Sequence, residues 1–342
     1  MVENQIALSL EENVIRIVKA GSSGGKIAIE FLARQEDIPA FYQSDTKKVF
    51  DDTAGLLKKL IDSQKLHKKK LNIVIPDGFT YSQVVYMPRL KEKELLSAIR
   101  YQADQFIPMP IDETSLDLEI IYEDKTANKL LVLIVAAPQS LIARIQRLCD
   151  VAGFYPATIE NELSATARFL ANFYTPPSPD GGTIFINLGF SYTSFYFLDH
   201  KLKLLTDSHN FPAGFSVFLR EAQADINIDR IKAKSLLKGV GFSQDPSIDL
   251  NQILQPAADA LCSELKKYIS SVQAKFQVTS ISRLLMFNLA TEINHLSKKI
   301  ETCVSIPTAI FDPTPITLRT PSIEPFIKDL PSFVTSIGGC LP

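Results

Sequence analysis

Ile15 and Ile17 alternate with Arg16 and Lys19, and the segments 5–10, 13–19 and 26–31 read as three consecutive half-buried strands. The period then changes. Val49, Phe50, Ala54, Leu56, Leu57 and Leu60 recur at helical spacing, which predicts a helix over 47–62. A short apolar run over 71–75, closed by Pro76-Asp77-Gly78, reads as a buried return strand. Strands, a helix and a return strand make the first half of an α/β lobe of the ribonuclease H-like kind.

Residues 79–152 follow a separate pattern. A strand over 81–87 ends at Pro88, which cannot donate to a ladder. Leu95, Leu96, Ile99, Ala103 and Phe106 form one apolar stripe of a helix over 91–106. Pro108 and Pro110 stop it and push Ile107 and Met109 into extended backbone. Two strands, 115–122 and 129–137, flank a polar turn. A helix over 140–151 closes this α+β module, with Gly153 as its cap. A helix over 160–174 leads to the linker Thr175-Pro176-Pro177-Ser178-Pro179-Asp180-Gly181-Gly182. Strands at 183–187, 192–198 and 202–207 then repeat the opening arrangement. Residues 214–277 read as helical, with a long helix beginning just past Pro256. A core strand at 282–287 and a helix at 292–301 follow. The expected layout is a first lobe of residues 1–78 and 153–178 and an inserted module of 79–152. A second lobe of 181–213 and 278–342 carries a helical subdomain of 214–277.

The segment from Met87 to Pro110 resembles the PilM family of type IV pilus assembly proteins, relatives of the division protein FtsA. The matching positions are Met87, Pro88, Leu90, Glu94, Leu95, Ala98, Ile99, Gln102, Ala103, Asp104, Gln105, Phe106, Ile107, Pro108 and Pro110. The resemblance implies a two-lobed actin-like fold with an inserted α+β module. It also implies a scaffold that binds the N-terminal cytoplasmic tail of a bitopic inner-membrane assembly protein, the role PilN plays for PilM. The family's binding groove lies between the first lobe and the module. Arg89, Leu90, Leu95, Ile99, Gln102, Phe106, Ile107 and Pro108 are therefore the expected partner contacts. Self-association is left open.

Actin-like enzymes hold ATP between two lobes, in turns whose glycines let backbone N–H groups reach phosphate and whose carboxylates manage Mg²⁺. The first turn should read like Gly-Ile-Asp-Ile-Gly-Ser-Ser. Here Ser9 stands for the aspartate and Glu11 for the glycine. Two like charges near 4 Å cost about 4 kcal/mol at an effective dielectric of 20, roughly a thousandfold in affinity. The second turn keeps Gly189, Ser191 and Thr193, but Asn187 replaces its acidic residue. Where the family has Ser-Gly-Gly for adenosine, this chain has Met286-Phe287-Asn288-Leu289. All three elements depart from the pattern, so neither ATP nor Mg²⁺ is expected as a resident cofactor and no catalytic residue is assigned. The alternatives are a working actin-like ATPase and the cytoplasmic part of a type II secretion platform, which shares the fold.

Composition narrows the rest. The chain has 342 residues, 46% apolar and 22% charged, with a formal net charge of −2, which suits a multi-lobed globular protein and gives no reason to expect nucleic acid. The densest basic run, Lys65, Lys68, Lys69 and Lys70, reads as cations at a helix C-terminus. Cys149, Cys262, Cys303 and Cys340 lack metal spacing. His67, His200, His209 and His295 lack paired spacing for a relay. Gly21-Ser22-Ser23-Gly24-Gly25-Lys26 fails as a P-loop and reads as a hairpin turn. The opening Met-Val-Glu-Asn lacks the layout of an export signal and no run of about eighteen apolar residues occurs, so the cytoplasm is the expected compartment.

Overall fold

The computed structural model describes residues 5–101, 107–243, 249–277 and 280–342. Strands β1 (Gln5–Leu10), β2 (Val14–Ser23) and β3 (Lys26–Glu36) follow one another directly. β1 and β2 pair antiparallel, and Gly24 and Gly25 turn the chain into β3 with φ of +59° and +74°, a conformation glycine adopts without a Cβ clash. β4 (Lys70–Ile75) enters parallel to β1, and β8 (Tyr155–Asn161) parallel to β4. The sheet order is β3-β2-β1-β4-β8. A second sheet repeats this plan. β9 (Gly182–Leu188), β10 (Thr193–Asp199), β11 (Leu204–Phe211), β12 (Ile281–Asn288) and β13 (Thr308–Ile310) take the order β11-β10-β9-β12-β13. Again one antiparallel hairpin is followed by parallel strands. This is the duplicated core of an actin-like fold.

The chain divides into two compact units. The first comprises Met1–Ser22, Ile29–Arg168 and Thr335–Pro342; the second comprises Ser23–Ala28 and Phe169–Val334. In the first, helices α1 (Lys47–Ser63) and α3 (Gln139–Ala152) cover one sheet face. Leu57 and Leu148 join Leu8, Ile17, Phe41 and Ile73 in the core. Between them lies the module: β5 (Tyr81–Pro88), α2 (Glu92–Tyr101), β6 (Thr114–Asp124) and β7 (Lys129–Pro138), with sheet order β5-β7-β6. The Glu94 carboxylate accepts from Lys91 N at 2.9 Å, half of a capping box that fixes where α2 starts. In the second unit α5 (Phe215–Ile226), α6 (Arg230–Gly239) and α7 (Leu250–Phe276) pack on the sheet, with α8 (Leu296–Val304) beside them.

Several boundaries differ from the expected layout. α3 closes the first-unit core rather than the module's own, because its Ile145, Leu148, Cys149 and Ala152 face α1 and the sheet. Residues 155–161 form a strand, and the following helix, α4 (Glu162–Phe173), starts only after it. Residues 335–342, expected in the second lobe, belong to the first unit. α5 to α7, the expected helical subdomain, share one continuous core with the second sheet. α7 begins at Leu250, where the Asp249 side chain caps Gln252 N at 3.2 Å, and Pro256 lies inside the helix. Lys65 to Lys70 lie beyond the end of α1, whose last turn carries no basic residue. No helix of the described residues is long and apolar enough to cross a membrane.

Candidate functional site

The turn between β1 and β2 is filled by its own side chains. Ser9 lies inside β1 rather than in the turn, opposite Arg16 of β2. Its Oγ is 2.7 Å from Ser336 Oγ of α9 (Val334–Gly339). Glu11 and Arg16, each more than nine-tenths buried, form an ion pair, and Glu11 N donates to Val14 O at 3.0 Å. Glu12 accepts from Gln43 Nε2. The Tyr42 hydroxyl donates to Leu10 O at 2.6 Å. Burial, and then the carboxylates of Glu162, Glu11 and Glu12, hold that phenol well above its ordinary pKa, so it stays a donor.

The corresponding turn of the second unit closes on backbone. Gly189 N donates to Tyr192 O at 2.9 Å, Phe215 N to Gly189 O at 2.9 Å and Ser216 N to Phe190 O at 2.8 Å. The first amides of α5, which a phosphate would use, are thus taken by the turn's own carbonyls. Thr193 Oγ1 donates to Ala213 O at 2.6 Å, and Ser191 is half-buried. Asn187 and Asn288, far apart in the chain, are joined. Asn288 Nδ2 donates to Asn187 Oδ1 at 3.0 Å, and Asn187 Nδ2 lies 3.4 Å from the Tyr196 hydroxyl. Met286, expected in an adenosine turn, is a core residue of β12. The strand runs on to Asn288, which bends it with φ +60° and ψ −129°. Among the described residues no group of three or more His, Cys, Asp and Glu side chains is arranged to hold a metal ion.

The expected partner residues separate into two kinds. Leu95, Ile99 and Ile107 are buried against Met87, Val132 and Ile134 of the module's sheet. They build the module and do not present a surface, which corrects their reading as partner contacts. Arg89, Leu90 and Pro108 are exposed, with Arg89 paired to Glu123 at 2.7 Å. Gln102 and Phe106 lie outside the described residues.

A groove whose lining residues are not among the expected partner contacts lies within the first unit, between residues 42–50 and α3. It has a volume of about 750 Å³ and is lined by Tyr42, Phe50, Phe79, Leu141, Arg144 and Arg147, among others. Tyr42 and Phe79 stack with ring centroids 4.4 Å apart. The Arg144 guanidinium lies 4.2 Å from the Phe41 ring centroid and bonds Asp45 Oδ1 and Ser44 O, each at 2.6 Å. Arg147 sits over Phe50 at 5.1 Å. The rings hold the guanidiniums flat, so apolar surface and positive charge share one concavity. Arg144 and Arg147 lie on one face of α3, one turn apart. That i, i+3 spacing was the available signal.

A family model described as Type IV pilus assembly protein PilM matches residues 8–341. Among solved structures, the PilM-PilN type IV pilus biogenesis complex is similar with a TM-score of 0.82 at 17% identity, covering 98% of this chain and 97% of that one. The ethanolamine utilization protein EutJ from Carboxydothermus hydrogenoformans is similar with a TM-score of 0.52 at 12% identity, covering 98% and 88%. At these identities the likeness establishes the fold.

Proposed function

Because the chain belongs to the type IV pilus assembly protein PilM family, matched over residues 8–341, we propose that it is a pilus-assembly scaffold that works by holding a partner and not by turnover. The partner is the N-terminal cytoplasmic tail of an inner-membrane assembly protein, of the kind that PilN represents in the solved PilM-PilN complex. The observation that carries this reading is the groove beside α3. Its volume, about 750 Å³, is that of a ligand cleft. Its mixture of rings and guanidiniums suits an extended segment with apolar anchors. The tail lies along Tyr42, Phe79 and Leu141, and Arg144 and Arg147 fix its register. Arg89, Leu90 and Pro108 are a second contact surface. The protein stays at the inner membrane through this partner.

Nucleotide plays no standing part in this proposal. Glu11 and Arg16 occupy the first turn, and the α5 amides are committed to Gly189 and Phe190. ATP and Mg²⁺ thus meet a buried carboxylate in one turn and spent donors in the other.

Titration of the intact chain with a synthetic peptide of the partner tail tests the first claim. Leu141→Asp and Arg144→Glu weaken binding about tenfold or more, the loss of one good anchor. Absence of binding by the unaltered chain sinks the reading. Calorimetry with ATP and Mg²⁺ tests the second. Micromolar affinity would show the turns to be functional and favour the ATPase alternative.

A further inference from the structure

Where β1, β4 and β8 begin, the first unit carries a second and larger concavity of about 970 Å³, unrelated to the α3 groove. Its apolar lining includes Ile6, Phe31 and Leu66; its cations are Lys19, Lys69, Lys70 and Arg168. Lys19 pairs with Glu30 at 2.6 Å, and Arg168 with Glu160. Lys69 and Lys70 form no ion pair among the described residues. The lining is therefore net positive, with both unneutralised charges on one edge. Lys65 and Lys68 of the same loop are exposed but lie outside the lining.

This loop is held in place. Leu66 N donates to Ile61 O at 3.0 Å, Lys68 N to Gly153 O at 2.7 Å, and Tyr155 N to Lys69 O at 3.0 Å. Lys65 and Lys68 take left-handed backbone, with φ of +55° and +58°, where asparagine or glycine sits at less cost. Lysine stands at both. The helix dipole does not account for the run, because its effect fades within the last turn and α1 ends at Ser63.

We propose that this concavity is a docking site for an acidic peptide segment of a partner protein. Carboxylates of the segment pair with Lys69 and Lys70, and an apolar side chain lies beside Phe31 and Leu66. Charge complementarity selects an anionic occupant. The site's form selects peptide over bilayer: it is concave, and the exposed Gln5 and Thr158 in the lining offer an amide and a hydroxyl group to a peptide backbone. A flat anionic membrane would engage lysines on a convex face.

Fluorescence anisotropy of the full chain with a short labelled peptide of alternating glutamate and phenylalanine tests the proposal. The double variant Lys69→Glu, Lys70→Glu weakens binding about tenfold or more, and Lys232→Glu on α6 leaves it within about twofold. The partner-tail titration of the α3 groove is unchanged by the Lys69 and Lys70 substitutions, so failure here is distinct from failure there. No peptide binding, or binding indifferent to the charge reversal, overturns the proposal. So do phosphatidylglycerol vesicles that bind the chain and displace the peptide, since the site is then a membrane contact.

Discussion

The two hairpin turns occupy the same place in two sheets of the same order, yet they are closed by different means. Ser9 and Asn187 are each the penultimate residue of the first strand. Beyond Ser9 the turn is stabilised by a buried Glu11–Arg16 pair. Beyond Asn187 it is stabilised by main-chain bonds that also cap α5. A duplicated fold can thus close the same turn in either of two ways: by filling it with opposed charges or by turning its own carbonyls onto the donors. The first solution is vulnerable to any change of charge. The second is vulnerable to any added volume.

The largest effect is expected at Arg16. Arg16→Ala strands Glu11 in a buried site and costs about 3–5 kcal/mol in urea denaturation, whereas Glu11→Gln with Arg16→Met recovers most of the loss. A single substitution costing nothing would mean that the pair does not hold the turn. Next comes Gly214→Ala in the second unit. Its Cβ would meet Gly189 O and Phe190 O at 2.6 Å, and crowding against backbone costs about 1–3 kcal/mol. Thiol trapping separates the two units. Cys149 and Cys340 report the first and Cys262 the second, and all three are pushed by burial up to about 12. Such thiols resist alkylation until their unit opens. Arg16→Ala exposes Cys149 and Cys340 first, and Gly214→Ala exposes Cys262 first. The same raised values set a pH window. The neutral thiol is favoured by the fold, so this stability is complete below about pH 9, the ordinary thiol value, and is lost as pH rises from there to about 12. The smallest effect is at Asn288. Glycine relieves its φ of +60° but forfeits the bond to Asn187, and the melting temperature reports a net change within about 1 kcal/mol.

Much of the fold was legible because its signals are local. Alternation at Ile15 and Ile17 marked β2, and helical spacing from Val49 to Leu60 marked α1 almost to the residue. What escaped depends on which surface meets which. The stripe of Leu95 and Ile99 announces a buried face, but periodicity cannot say whether a partner or the chain's own sheet covers it; here Val132 and Ile134 do. α3 has the same ambiguity, and its face went to α1. β8 carries Pro156 and three exposed positions, as a strand at a sheet edge can, and so lacked the apolar run of a buried strand. Pro256 looked like a helix start, but the Asp249 cap lay about two turns earlier. The departures at Ser9, Glu11 and Asn187 were readable from residue type alone. Their joining to Ser336, Arg16 and Asn288 was not, since it needs the fold.

Gly339 packs with no room for a side chain: an added Cβ would lie 2.8 Å from Val74 Cγ2 and 2.9 Å from Ala7 Cβ, and Gly339 O accepts from Asn72 at 2.8 Å. The segment beginning at Thr335 is therefore a wedge driven into strands more than 250 residues earlier in the sequence. The order of completion therefore runs against the order of synthesis, because residues 169–334 are all made before residues 29–168 receive the segment 335–342 that packs into them. A released chain truncated after Val334 should accordingly be cleaved by protease in the strands around Ala7 and Val74 and spared around Phe185.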